Sequence, residues 1–163
     1  MNTREAIRAS MDMPNMIVNA YLEDLSDADL LVRPVNGANH IAWQLGHLIA
    51  SEHGLIEQVV PGSMPPLPEG FADKYTKETS QLDDASAFHT KAEYLTLFGE
   101  QREGTLAALA PLSDDDFDKP APESLKQIAA NVAGVFLMQP AHWMMHAGQW
   151  AVVRRKLGRP PLF

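Results

Sequence analysis

From Leu125 to Val153, nine residues recur in alternating steps of three and four: Leu125, Ile128, Val132, Val135, Gln139, His142, His146, Gln149 and Val153. Such spacing puts all nine on one face of an α-helix. The first half of that face is aliphatic and belongs against a core. The second half continues the same line with polar side chains, so these too are directed inward. The pattern predicts a helix from about Glu123 to Leu157, with Gly158 and Pro160 placed to stop it. No alternating run elsewhere reads as a strand. The elements that cover this face are therefore expected to be helices.

Two stretches of the chain repeat one another. Leu22 to Leu30 (LEDLSDADL) aligns with Leu109 to Phe117 (LAPLSDDDF), and a basic residue followed by proline comes after each, as Arg33-Pro34 and Lys119-Pro120. Ser26 and Ser113 each precede an aspartate by three positions, which suits an N-capped short turn with acids at its positive end. Chance recurrence of such turns in helical proteins is the alternative to a true repeat. Each copy sits between two long helical stretches, so the economical architecture is all-α, a four-helix bundle of two paired helical hairpins.

The first helix is expected over Thr3 to Glu23, with Ile7, Met11, Val18, Tyr21 and Leu25 on one side and Pro14 kinking it or resetting its start. The second is expected over His40 to Val60 with Asn39 as its cap, and the third over Ala87 to Leu109. Between helices 2 and 3, Pro61 to Ala85 forms a long loop rich in proline, glycine and charge. A loop of that length serves as a lid or binding loop, or as a crossover along the bundle.

At 163 residues the chain is read as one domain, 1–163. It has no cysteine, which excludes disulfides, thiolate metal sites and a cysteine nucleophile of its own. The net charge of −8 opposes binding to nucleic acid. The one basic run, Arg154-Arg155-Lys156, suits the negative end of a helix dipole instead. No apolar run approaches the ~20 residues needed to span a bilayer. Charges also interrupt the first ten residues where a secretion signal would be apolar. No membrane association is expected, and a cytoplasmic location follows by default.

His142 and His146 lie one helical turn apart on the inward face, a spacing at which two imidazoles chelate one ion. A buried, hydrogen-bonded histidine pair is the competing reading. The sequence His142-Trp-Met-Met-His146 lacks the glutamate of the H-E-x-x-H zinc proteases, so peptide hydrolysis by that route is unsupported. On the second helix, His40, Gln44, His47, Ser51 and Gln58 form a polar stripe without charge, as expected of an internal groove. Glu52 and Glu57 lie off it, as solvent-facing residues would. Periodicity does not choose between His40 and His47 as a third ligand. His53 and His89 read as surface residues, and Trp43, Trp143 and Trp150 as core more than as a substrate wall.

The stretch Trp43-Gln-Leu-Gly-His47-Leu, the later His142-x-x-x-His146-x-Gly148-Gln149 and the closing Arg154-Arg-x-x-Gly158-x-Pro160 resemble the DinB-like superfamily over nearly the whole chain. The resemblance implies a four-helix bundle, a homodimer, and a divalent metal, zinc or nickel, held by His47, His142 and His146. It also implies a metal-dependent transferase or isomerase that uses a low-molecular-weight thiol on a small-molecule electrophile. Gln44, Ser51 and Gln149 are then candidates for supporting the ligands or contacting the thiol or substrate. The alternatives are a non-catalytic stress or interaction protein with a structural ion, and a hydrolase using metal-bound hydroxide.

Overall fold

The computed structural model describes residues 1–162, and local chemistry explains where each helix starts. Asn2 and Glu5 form a reciprocal cap that opens α1, Thr3–Ser10. The chain breaks at Met11 and restarts as α2, Asp12–Leu22. Pro14 falls in the first turn of α2, where its missing N–H leaves no bond unmade. It thus resets the helix, and the single helix expected from Thr3 to Glu23 is two. α3 spans Ile41–Val59 and α4 spans Lys91–Leu109, the latter opened by a Thr90–Glu93 capping box. Both LSD-type repeats are capped short turns. Ser26 and Asp29 exchange backbone-to-side-chain bonds over a 3-10 turn, and Ser113 and Asp116 do the same at α5, Asp114–Asp118.

The last helix, α6, spans Val132–Lys156. It begins nine positions after the expected Glu123, which opens only a 3-10 turn. Ala121 donates to the Ala130 carbonyl and Val132 to the Lys119 carbonyl, so the chain between them closes on itself. Asn131 then caps α6 by accepting the Gly134 N–H. Leu125 still reaches the core from this closed loop, which is why the apolar periodicity runs on beyond the true helix start. Pro140 lies within α6 without ending it, and the Gln139 side chain donates to the Val135 carbonyl in that turn at 2.9 Å. Gly158, at φ 70°, ends the helix: its N–H bonds to the Arg155 carbonyl, and Arg159 N–H to that of Arg154.

Side-chain pairs fix the helix directions. Gln44 meets Gln149 and Trp150 while Glu52 meets Trp143, so α3 and α6 are antiparallel. Tyr75, seated on Gly46, bonds to Tyr94, while Glu52 bonds to Arg102 and Thr105, so α3 and α4 run parallel. Arg154 near the end of α6 meets Tyr21 and Asp24 at the end of α2, so these also run parallel. A parallel α3–α4 pair obliges the intervening chain to return along the bundle, which makes the long loop a crossover. It contributes Met64, Phe71 and Tyr75 to the buried core. The closest packing joins α1 and α2 to α6, α6 to α3, and α3 to α4. The all-helical bundle is as expected, but its neighbours are not the hairpin-by-hairpin pairs read from the sequence. Among the described residues there is no strand, only one isolated bridge between Pro120 and Asn131. No helix there is long and apolar enough to cross a membrane.

Candidate metal centre

Antiparallel packing of α3 on α6 brings His47 opposite His142 and His146. The three rings are mutually close, with centroid separations of 5.2 Å (His47–His142), 5.6 Å (His47–His146) and 5.0 Å (His142–His146). One nitrogen from each lies within 4.8 Å of the others, and the group could hold a metal ion. Tetrahedral coordination at ~2.1 Å would place such nitrogens about 3.4 Å apart. A modest inward turn of the rings therefore closes the site. Among the described residues no further histidine or carboxylate joins this group.

The protonation state suits the same purpose. Burial pushes all three imidazoles below their ordinary value. His142 is pushed down to about 4 by burial and then by His47, and His146 to about 4 by burial and then by both neighbours. At neutral pH each ring is uncharged and keeps a lone pair to donate.

Gln44 determines which nitrogen of His146 is free. The indole Nε1–H of Trp150 only donates, and it points at Gln44 Oε1 at 2.9 Å. The same oxygen lies 3.0 Å from His146 Nδ1, so Nδ1 must carry the proton and Nε2 the lone pair. Gln44 Nε2 in turn donates to the Asn39 carbonyl and, at 3.1 Å, to Gln149 Oε1. Every polar site on this fully buried amide is thereby used. Orientation of a metal-binding imidazole through its other nitrogen is how such rings are commonly held. Trp43 fixes His47 differently, by stacking at 4.9 Å and 8° while its own Nε1–H is anchored on the Thr76 carbonyl and Thr79 Oγ1.

His40 is not in the cluster. Its Nδ1 caps α3 by accepting the Trp43 N–H, the part assigned to Asn39 from the sequence, and its Nε2 bonds to the Leu82 carbonyl. Both nitrogens are spent, so His40 has no lone pair to offer. Ser51, one turn beyond His47, lines a groove of about 430 Å³ together with Leu55, Ile128, Met138, Ala141, His142 and Met145. Gln149 is joined to the site through Gln44, whose Nε2 donates to its Oε1.

Three features were misread or missed in the sequence. Glu52 is not on a solvent face: it is 1% exposed and accepts from Arg102 Nη2 at 3.0 Å, Thr105 Oγ1 at 2.7 Å and Trp143 Nε1 at 2.7 Å. Arg102 on α4 was the available signal, because a buried carboxylate needs a cation. His89 is half-buried and closes a hydrogen-bonded chain in which its backbone N–H donates to the Tyr94 hydroxyl, the Tyr94 and Tyr75 hydroxyls bond to each other, and the Tyr75 hydroxyl bonds to His89 Nδ1. His53 pairs with Gln101 at 3.0 Å instead of standing free.

A family model described as the DinB superfamily matches residues 15–150, a span that contains all three histidines, Gln44 and the crossover. Comparison with curated proteins gives no match. On the extent of the family match, this chain belongs to the DinB superfamily.

Proposed function

We propose that this protein binds one divalent ion, zinc or nickel, through His47, His142 and His146, and works as a transferase or isomerase that joins a low-molecular-weight thiol to a small electrophile. The observation that carries the proposal is the convergence of three neutral imidazoles beside a groove, with no fourth histidine or carboxylate in the group among the described residues. A structural ion would call for a closed donor set, so this arrangement supports the enzymatic reading over a structural one.

The bound ion would supply Lewis acidity, lowering the pKa of a coordinated thiol toward neutrality. The chain's own residues do the rest. Gln44 holds His146 with Nε2 free, Gln149 and the Asn39 carbonyl hold Gln44, and Trp43 holds His47 flat against its indole. An exogenous thiol suits a protein without cysteine. Family membership supports a homodimer within the same proposal, which sedimentation would check.

Cobalt-substituted protein tests the reaction class. Titration with a panel of biological thiols should produce a thiolate-to-metal charge-transfer band with at least one of them, and His142→Ala should lose the band along with the metal. If no thiol changes the cobalt spectrum, the transferase reading fails. Water exchange at the ion without thiol binding would then favour the hydrolase.

A further inference from the structure

Of the three histidines, His142 lines a trough between two antiparallel helices. On α3 the line runs His47, Ser51, Leu55, each one turn further along. On α6 it runs His146, His142, Met138 in the opposite chain direction. At the far end the Ser124 hydroxyl donates to Gln58 Oε1 at 2.7 Å, pinning the loop that carries Ile128 against α3. The trough thus meets the histidine cluster at His142 and is apolar over most of its lining.

We propose that this groove holds the body of the substrate, and that the substrate is a small, uncharged, largely apolar molecule whose reactive centre lies at the His142 end. The assignment of a reactive centre rests on the metal–thiol reading above; the choice of an apolar, uncharged occupant rests on the groove alone. Its volume of about 430 Å³ lies in the range of small-molecule sites. None of its seven lining residues is charged, and its polar groups are confined to Ser51 and His142. Away from the ion, a charged group in the groove would lose hydration without gaining a counter-ion from the chain. Ile128 and Met145 remain 50% and 61% exposed, apolar surface that an apolar occupant would cover. Met138 and Met145 adapt their shape readily, which suits a family of related molecules more than a single rigid one. Ser51 Oγ can donate one hydrogen bond to a carbonyl or ether oxygen near the reactive end.

Two fluorescent probes of the same body and opposite polarity test this. N-phenyl-1-naphthylamine is neutral; 1-anilinonaphthalene-8-sulfonate carries a sulfonate on the same ring system. Both are titrated into the purified protein and into chelator-treated protein, with metal content measured on every sample. The neutral probe should bind one per chain, and in chelator-treated protein at least tenfold tighter than the sulfonate. Ile128→Glu should weaken it tenfold or more through charge, and Ala141→Phe should do the same by filling the trough. Val152→Glu, an exposed α6 position outside the groove, should leave it unchanged. Circular dichroism of each variant separates loss of binding from loss of fold, and failure of one variant to fold leaves the other as the test. Absence of neutral-probe binding, equal binding of both probes to chelator-treated protein, or indifference to both groove variants overturns the proposal. Conversion of a dimer to monomers by Ile128→Glu also overturns it, because the groove would then be a face between copies. Probe binding in a protein that takes up no metal supports the groove while removing the thiol-transfer reading. Metal uptake without probe binding does the reverse.

Discussion

Gln44 makes four hydrogen bonds with one amide, and the two donors it satisfies are both buried side chains on α6. Gln44→Leu keeps the bulk and removes the acceptor. It should cost about 1–3 kcal/mol for each donor left unsatisfied, measured by urea denaturation. It should also weaken metal binding by about 10–100-fold in a chelator competition, because His146 loses its preferred tautomer. His142→Ala or His146→Ala should abolish stoichiometric metal by elemental analysis, while His53→Ala should not. Full metal in His47→Ala would show that the third ligand lies elsewhere. Acid should act through the same residue type. Burial lowers the pKa of His40, so its neutral form is favoured on folding. With the folded pKa below the unfolded value of about 6.5, the stabilisation is complete above that pH and is lost as pH falls through the folded pKa. Protonation at Nδ1 also destroys the α3 cap. Denaturant midpoints of metal-free protein should therefore hold steady above about pH 6.5 and decline below it, with a shallower decline in His40→Asn.

At the scale of elements, the crossover is seated on α3 through a glycine. A Cβ on Gly46 would lie 2.2 Å from the Tyr75 ring, which is itself buried at 4% exposure. Such an overlap cannot be relieved by a flexible side-chain end, because Tyr75 is tied to Tyr94 and His89. Gly46→Ala should therefore destabilise by about 1–3 kcal/mol or more, although alanine is the better helix former. Thermal melts provide the measurement. Tyr75→Leu alone should also destabilise, but the double variant should be less damaged than the sum of the two, since each change removes the reason for the other's cost.

Across the whole molecule, Glu52 ties α3 to both α4 and α6, through Arg102 and Thr105 on one and Trp143 on the other. Arg102 is 3% exposed, so removing its partner leaves a charge buried without compensation. Glu52→Leu should cost about 3–5 kcal/mol in equilibrium unfolding, and adding Arg102→Leu should recover much of that loss. A single-site effect of less than ~1 kcal/mol would show that the pair contributes little to holding the three helices together.

Local chemistry was legible in the chain itself. The three- and four-residue periodicity, the capped LSD turns, the Gly158 stop and the paired His142 and His146 all depend on residues within a turn or two of each other. They led to an all-helical bundle and to two of the three clustered histidines. Helix starts were less legible: the apolar line through Leu125 and Ile128 continued past the Asn131 cap, because burial can be achieved by a closed loop as well as by a helix. The third histidine could not be chosen from periodicity. His40 and His47 share a stripe, and only packing shows that one spends both nitrogens on the α3 cap and Leu82 while the other faces α6. Burial of Glu52 was hidden for the same reason, since its partners lie fifty and more residues away on other helices. Sequence thus determined what each segment would become and which of its faces was apolar. Tertiary structure decided which polar residues meet, because a pairwise contact between helices depends on direction, register and neighbour, none of which is written within a single helix.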